Sequence, residues 1–185
     1  MRRQVSVGIE SWPLERPFRI SRGVKTAADV VVVELHDGKH VGRGECVPYP
    51  RYGESVDSVA AQIRSVLPSL EQGASRIDCR TLLPAGAALN AIDSALWDLE
   101  AKQSASGISG LTGISLEPVS TLFTLSLADP EKMARQASAV PELQRLKLKL
   151  NADAPLECLT AIRAARPDAQ LVIDANGSWS NELLM

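Results

Sequence analysis

Apolar and polar residues alternate at the start of the chain. Val5, Val7 and Ile9 are separated by polar neighbours, a two-residue period that predicts a half-buried strand. Residues 30–35 are rich in β-branched side chains and run into Asp37-Gly38, a hairpin signal, which makes residues 41–46 the returning strand. Between the first two strands, Arg16-Pro17-Phe18-Arg19-Ile20-Ser21-Arg22-Gly23 is basic and polar and reads as a loop. Pro48 and Pro50 stop the third strand, and Ser55 is placed to cap a helix. Val56, Val59, Ala60, Ile63, Val66, Leu67 and Leu70 then form one helical stripe, and Leu89, Ile92, Ala95, Leu96 and Leu99 form a second. A small sheet followed by helices predicts an α+β domain over residues 1–117, its end loosened by Gly107, Gly110 and Gly113.

After that the pattern changes. Residues 119–127 alternate as a strand, and Asp129-Pro130-Glu131 is a strong helix start, with a cap followed by proline at the first helical position. Residues 145–150 alternate again, with Leu146, Leu148 and Leu150 on one face and Lys147 and Lys149 on the other. Asp153 is placed to start a helix with Leu156, Leu159, Ile162 and Ala165 inside, stopped by Pro167, and Leu171-Val172-Ile173 is a third strand. Repeated strand–helix–strand units imply parallel strands and right-handed crossovers. Residues 118–185 are therefore expected to form the first part of a (β/α)8 barrel.

Such sheets place their working residues at the carboxyl ends of strands, where Asp174 falls. If the leucines of the second strand pack on helices, Lys147 and Lys149 face inward, where charge is costly unless paired or used. Two crowded ammoniums repel, which favours proton loss from one of them, and a strand-tip carboxylate is a natural start for a cation site. Without further context, paired lysines on a strand are more often a solvated face, and Asp-Ala-Asn after a strand is more often a turn.

Composition narrows the classes. The chain has 185 residues, 45% hydrophobic and 23% charged, enough for one sizeable core or two small ones. Its net charge of −2 gives no argument for nucleic acid or an anionic membrane. The longest strongly apolar run, residues 30–33, is far short of a membrane span, and Arg2-Arg3 is not followed by the apolar stretch of a signal peptide. Cys46, Cys79 and Cys158 are too scattered for a disulfide framework, so reduced thiols in a cytoplasm are expected.

Lys147-Leu148-Lys149 followed by Asp174-Ala175-Asn176 resembles the K-x-K and D-x-N signatures of the enolase superfamily, in its muconate-lactonizing subgroup. The stretch Gly42-Arg43-Gly44-Glu45-Cys46-Val47-Pro48-Tyr49-Pro50-Arg51-Tyr52-Gly53-Glu54-Ser55 is similar to a loop of the L-Ala-D/L-Glu dipeptide epimerases, as are Leu83-Pro84-Ala85-Gly86-Ala87-Ala88 and Ala95-Leu96-Trp97-Asp98-Leu99. The resemblance implies a capping domain ahead of the barrel and Mg²⁺-dependent epimerisation of a dipeptide in cell-wall peptide recycling. It implies Lys149 as acid/base, Lys147 as its electrostatic tuner and Asp174 as a metal ligand, with Asn176 near the metal. Arg22, Thr124 and Tyr52 are then substrate-binding candidates; Tyr49, Arg51 and Tyr52 form either a loop over the site or a rigid turn.

A full barrel takes roughly 250 residues. Here 67 residues run from Val119 to Met185, and the second and third metal ligands and the opposite lysine are absent from them. The expectation is an N-terminal portion that is inactive alone, with a homo-oligomer left open for the complete enzyme. Alternatives are a cycloisomerase or o-succinylbenzoate synthase using the same lysines, or a non-catalytic fragment that binds a partner half.

Overall fold

A computed structural model describes residues 2–184, which divide into two units. One runs through Pro13 and again from Ala28 to Glu117; the other holds Leu14–Ala27 and the chain from Pro118 onward. The division does not follow sequence order, because a short early segment groups with the later residues.

A sheet of order β1-β2-β3 is formed by β1 (Gln4–Ile20), β2 (Gly23–His36) and β3 (Val41–Cys46); its residues up to Pro13 and from Ala28 belong to the first unit, and Leu14–Ala27 to the other. The β2–β3 hairpin is antiparallel and registers Val31 on Cys46 and Leu35 on Gly42. The segment expected as a loop, residues 16–23, is instead strand: β1 continues to Ile20 and β2 resumes at Gly23, leaving only Ser21 and Arg22 between them. Phe18 and Ile20 are half-buried on alternate positions, and β1 is an edge strand, where Pro13 and Pro17 need not donate to a ladder.

Val31, Val33 and Leu35 lie on one face of β2 and are fully buried. They pack with Ile63 of α1 (Val56–Ser65), Leu70 of α2 (Leu67–Glu71) and Ile92, Ala95, Leu96 and Leu99 of α4 (Ala87–Ser104). The expected single stripe over residues 56–70 is two helices, broken at Val66 where Pro68 cannot continue the first hydrogen-bond series. A further helix, α3 (Arg76–Leu82), shows no apolar stripe in the sequence, since it is only seven residues long and buries only Cys79. A short helix, α5 (Gly107–Thr112), ends the unit's helices.

Gly42 and Gly44 let β3 lie directly against α4. A Cβ on Gly44 would stand 2.2 Å from the Ala91 carbonyl oxygen, and one on Gly42 2.2 Å from that of Ala95. Both obstacles are helix backbone, so only separation of helix and sheet could relieve the overlap.

In the second unit β4 (Phe123–Leu125), β5 (Arg145–Lys149) and β6 (Gln170–Asp174) form a parallel sheet of order β4-β5-β6. The first strand is shorter than the alternation over 119–127 suggests, because pairing covers only Phe123 to Leu125 and Val119 is 89% exposed. Leu146, Leu148 and Leu150 are buried with Met133 and Ala137 of α6 (Pro130–Ser138) and Cys158 and Ile162 of α7 (Pro155–Ala165). Helix α7 starts at Pro155, not at Asp153, whose carboxylate instead accepts the Asn151 side-chain amide at 2.7 Å. Leu156, expected inside, is exposed. The last element is α8 (Asn181–Leu184).

Arg166 is buried behind the sheet. It donates to the carbonyls of Ala137, Val140 and Leu143 at 2.7–3.2 Å and pairs with Asp168, tying the end of α6 to the approach to β5.

Gly44→Ala is expected to destabilise the first unit by about 1–3 kcal/mol through overpacking against α4. Urea unfolding followed by circular dichroism measures it, and an unchanged midpoint would refute the close-approach argument.

Candidate active site

Parallel pairing sets the site. β5 and β6 place Lys149 beside Asp174 and Lys147 beside Val172, while β4 places Thr124 beside Lys147. Because register partners share a face, Thr124, Lys147, Lys149 and Asp174 lie on the face opposite the buried leucines. The leucines thereby orient the lysines: a one-residue slip of β5 would bury the ammoniums among α6 and α7.

The two ammoniums converge on one carboxylate oxygen. Lys147 Nζ is 2.8 Å and Lys149 Nζ 2.9 Å from Asp174 Oδ2. Lys149 is the deeper of the two, its side chain 11% exposed against 32% for Lys147. Asp174 Oδ1 accepts the Asn176 backbone N–H at 3.0 Å. The hydrogen bonds from Lys147, then Lys149, then that backbone N–H hold the Asp174 carboxyl well below the usual carboxylate range.

Asn176 adopts a left-handed conformation (φ 51°) and is followed by Gly177 (φ 71°). Asparagine tolerates that region better than most residues, and Asn-Gly is its sequence signal. The turn aims the Asn176 Oδ1 at Lys149 Nζ, 3.2 Å away, so its side chain meets the lysine as well as standing next to the carboxylate.

Arg22 donates to the backbone carbonyl of Asn176, and Ser21 Oγ donates to the carbonyl of Ala175 at 3.4 Å. Farther along the same segment, the Arg19 N–H donates to Ser126 Oγ at 2.7 Å, and the Leu127 N–H donates to the Arg19 carbonyl at 3.1 Å. The segment around Ser21-Arg22 is thus tied to the ends of β4 and β6. Ser21, Arg19 and Ser126 were missed in the sequence, where no spacing pattern marks them. Tyr52 lies in the first unit, 74% exposed on a 3-10 turn over Pro50–Tyr52.

The residues present do not by themselves make a Mg²⁺ site. Among the described residues no group of three or more His, Cys, Asp or Glu side chains could hold a metal, and both Asp174 oxygens are engaged by protein donors. Mg²⁺ wants near-octahedral oxygen coordination, of which Asp174 supplies one ligand.

A sheet with helices packed on it, then the opening parallel strands of a barrel carrying inward lysines and a strand-tip acid, is the architecture of the enolase superfamily. Residues 2–113 match the N-terminal domain of the mandelate racemase / muconate lactonizing enzyme family, to which the chain belongs. It is 49% identical over 183 residues to the L-Ala-D/L-Glu epimerase of Escherichia coli K12, covering 97% of this chain and 57% of that protein. An enolase family member from Agrobacterium tumefaciens, solved with sodium and L-Ala-L-Glu bound, superposes with a TM-score of 0.92 at 41% identity, covering 97% of this chain and 56% of that one. A dipeptide epimerase from Enterococcus faecalis, complexed with Mg and L-Leu-L-Tyr, gives a TM-score of 0.88 at 27% identity, covering 98% and 56%. The chain spans about half the length of the curated relatives it matches. No helix among the described residues is long and apolar enough to cross a membrane.

The depressed Asp174 carboxyl fixes the sign of a pH effect. Its folded-state affinity for protons is below the unfolded value of about 3.9, so the ion-pair stabilisation is complete above that pH and fades as acid protonates the folded carboxylate. Asp174→Asn is expected to cost about 1–3 kcal/mol at neutral pH by leaving the ammoniums without their counter-charge. The gap from wild type should shrink on acidification below about pH 4. Urea titrations across pH measure it; a gap that widens in acid contradicts the assignment.

Proposed function

We propose that this chain is the N-terminal portion of a Mg²⁺-dependent dipeptide epimerase of the L-Ala-D/L-Glu type. The observation that carries the reading is the convergence of Lys147 and Lys149 on Asp174 at the carboxyl edge of a parallel sheet. Its likeness to the E. coli epimerase at 49% identity favours that chemistry over the cycloisomerase and synthase branches.

In this reading Lys149 removes the proton α to the substrate carboxylate, giving an enediolate. Lys147, held on the same carboxylate, is the neighbouring charge that the resemblance assigns to the electrostatic surroundings of Lys149. In the complete enzyme Asp174 would be one ligand of a Mg²⁺ site, and a bound ion there would supply charge neutralisation at the substrate carboxylate. Arg22 would hold the substrate's carboxylate, as the resemblance implies. A guanidinium has five donors, and the bond to the Asn176 carbonyl needs one. Thr124 lies in the same cross-strand row as Lys147 and is a substrate-binding candidate; Tyr52 is a candidate by family resemblance alone. Inversion also requires a proton donor on the opposite face of the planar intermediate. The 185 residues supply no lysine assigned to that face, so alone they do not turn over. The natural setting is cytoplasmic recycling of cell-wall peptide, consistent with three free, buried cysteines.

The test is solvent-deuterium incorporation at the α-carbon of L-Ala-L-Glu with Mg²⁺, read by proton NMR. The isolated chain should incorporate none. In the complete enzyme Lys149→Ala should slow exchange by about 10²–10⁴-fold. Exchange catalysed by the isolated chain, or an unaltered rate in the variant, would defeat the proposal.

A further inference from the structure

Two stretches that stand out in the sequence meet within the first unit. Residues 42–45 lie on β3 and residues 95–99 on α4, and neither belongs to the lysine site. β3 is an edge strand: β2 pairs with one side of it, and among the described residues no strand pairs with the other. Such an edge turns the N–H and C=O groups of alternate residues outward, an open template for another chain.

Helix α4 fills that edge with side chains. Lys102 Nζ donates to the Val41 carbonyl at 2.7 Å, the Arg43 N–H donates to Asp98 Oδ2 at 2.8 Å, and the Asn90 side-chain amide donates to the Glu45 carbonyl at 3.3 Å. Val41, Arg43 and Glu45 are alternate residues, and they are met in reverse order along the helix. Four helical residues from Asp98 to Lys102 rise about 6 Å, and two strand residues from Arg43 to Val41 span about 6.8 Å, so the two repeats match. Lys102 also donates to Asp98 Oδ2 at 2.7 Å, which holds both side chains over the strand. An aspartate has a short reach. It arrives because Gly42 lets the helix touch β3; a Cβ there would stand 2.5 Å from Leu99 Cβ.

From this geometry we infer that Asp98 and Lys102 lock the β3 edge against a further strand, and that the strand they exclude is β3 of a second copy. Antiparallel pairing centred on Gly44 would set Arg43 opposite Glu45 twice, two cross-strand pairs of opposite charge. Gly44 opposite Gly44 brings no side chain into the seam. Arg43 and Glu45 alternate with the glycines that face α4, so both project from the sheet face away from the helix. The Asp98–Lys102 pair is itself about half exposed and adds little stability as an ion pair. Its effect lies in occupying groups that would otherwise bond another backbone.

Amide hydrogen exchange in the 185-residue chain, read by NMR, tests the lock at the Arg43 N–H. That amide should be protected in wild type although it points away from β2. It should exchange at least about tenfold faster in Asp98→Ala and stay protected in Asp98→Asn, which keeps an acceptor oxygen. In sedimentation velocity the chain carrying both Asp98→Ala and Lys102→Ala should form dimers beyond the wild-type level. Mixed isotope labelling should then show a contact between the Gly44 α-protons of two copies. Adding Glu45→Lys should abolish dimer and contact by placing like charges opposite each other. An Arg43 amide unprotected in wild type, or unchanged in Asp98→Ala, overturns the lock. A double variant that keeps its circular dichroism spectrum and associates no more than wild type, or dimerises without the Gly44 contact, overturns the second copy as the excluded strand. Asp98→Ala alone carries the same association measurement if the double variant does not fold.

Discussion

One carboxylate holds the second unit's polar face together. Asp174 accepts both lysine ammoniums on a single oxygen and the Asn176 backbone on the other, at the tip of a strand whose neighbour carries those lysines. Lys149, the most withdrawn from water of the three, is met by both the carboxylate and the Asn176 side chain. The opposite face of β5 makes the arrangement obligatory. Leu146, Leu148 and Leu150 are sealed against α6 and α7, so the alternation of the strand leaves Lys147 and Lys149 no other direction. Burial on one face thus sets the direction of the polar side chains on the other.

The surroundings refine that pairing. The left-handed Asn176 and Gly177 turn bends the chain after β6 so that an amide oxygen meets Lys149, while Arg22 and Ser21 hold the turn from behind through its carbonyls. Arg166 secures the helices that carry the leucines' partners. In the first unit the same economy appears at Glu54, where a helix cap and a loop anchor are one side chain. Backbone groups left unsatisfied by helix and strand ends are met in each case by a side chain distant in sequence.

Periodicity made much of this legible. The alternation of residues 145–150, the stripe of α4 and the Asp129-Pro130 start of α6 each appear in the structure as elements of the expected type. Strand parity put Lys147 and Lys149 on one face, and the rule that parallel sheets work at their carboxyl ends singled out Asp174; that both ammoniums share one of its oxygens is seen only in the structure. What stayed hidden was set by partners elsewhere in the chain. The strand character of residues 16–23 depends on an edge position that excuses two prolines, and α3 is too short to display a period. Arg166 looks like any surface arginine until three carbonyls converge on it, and Asn176 like a turn residue until its side chain is seen on Lys149. No local pattern announces such contacts, because each is closed by tertiary geometry.

The shared carboxylate is open to direct observation. With ¹⁵N-labelled lysine and ¹³C-labelled aspartate, the Nζ of Lys147 and of Lys149 should each show a scalar coupling across a hydrogen bond to the Asp174 carboxylate carbon, abolished in Asp174→Asn. Ammonium signals that exchange as fast as those of solvent-facing lysines, with no coupling to Asp174, would contradict the account at its foundation.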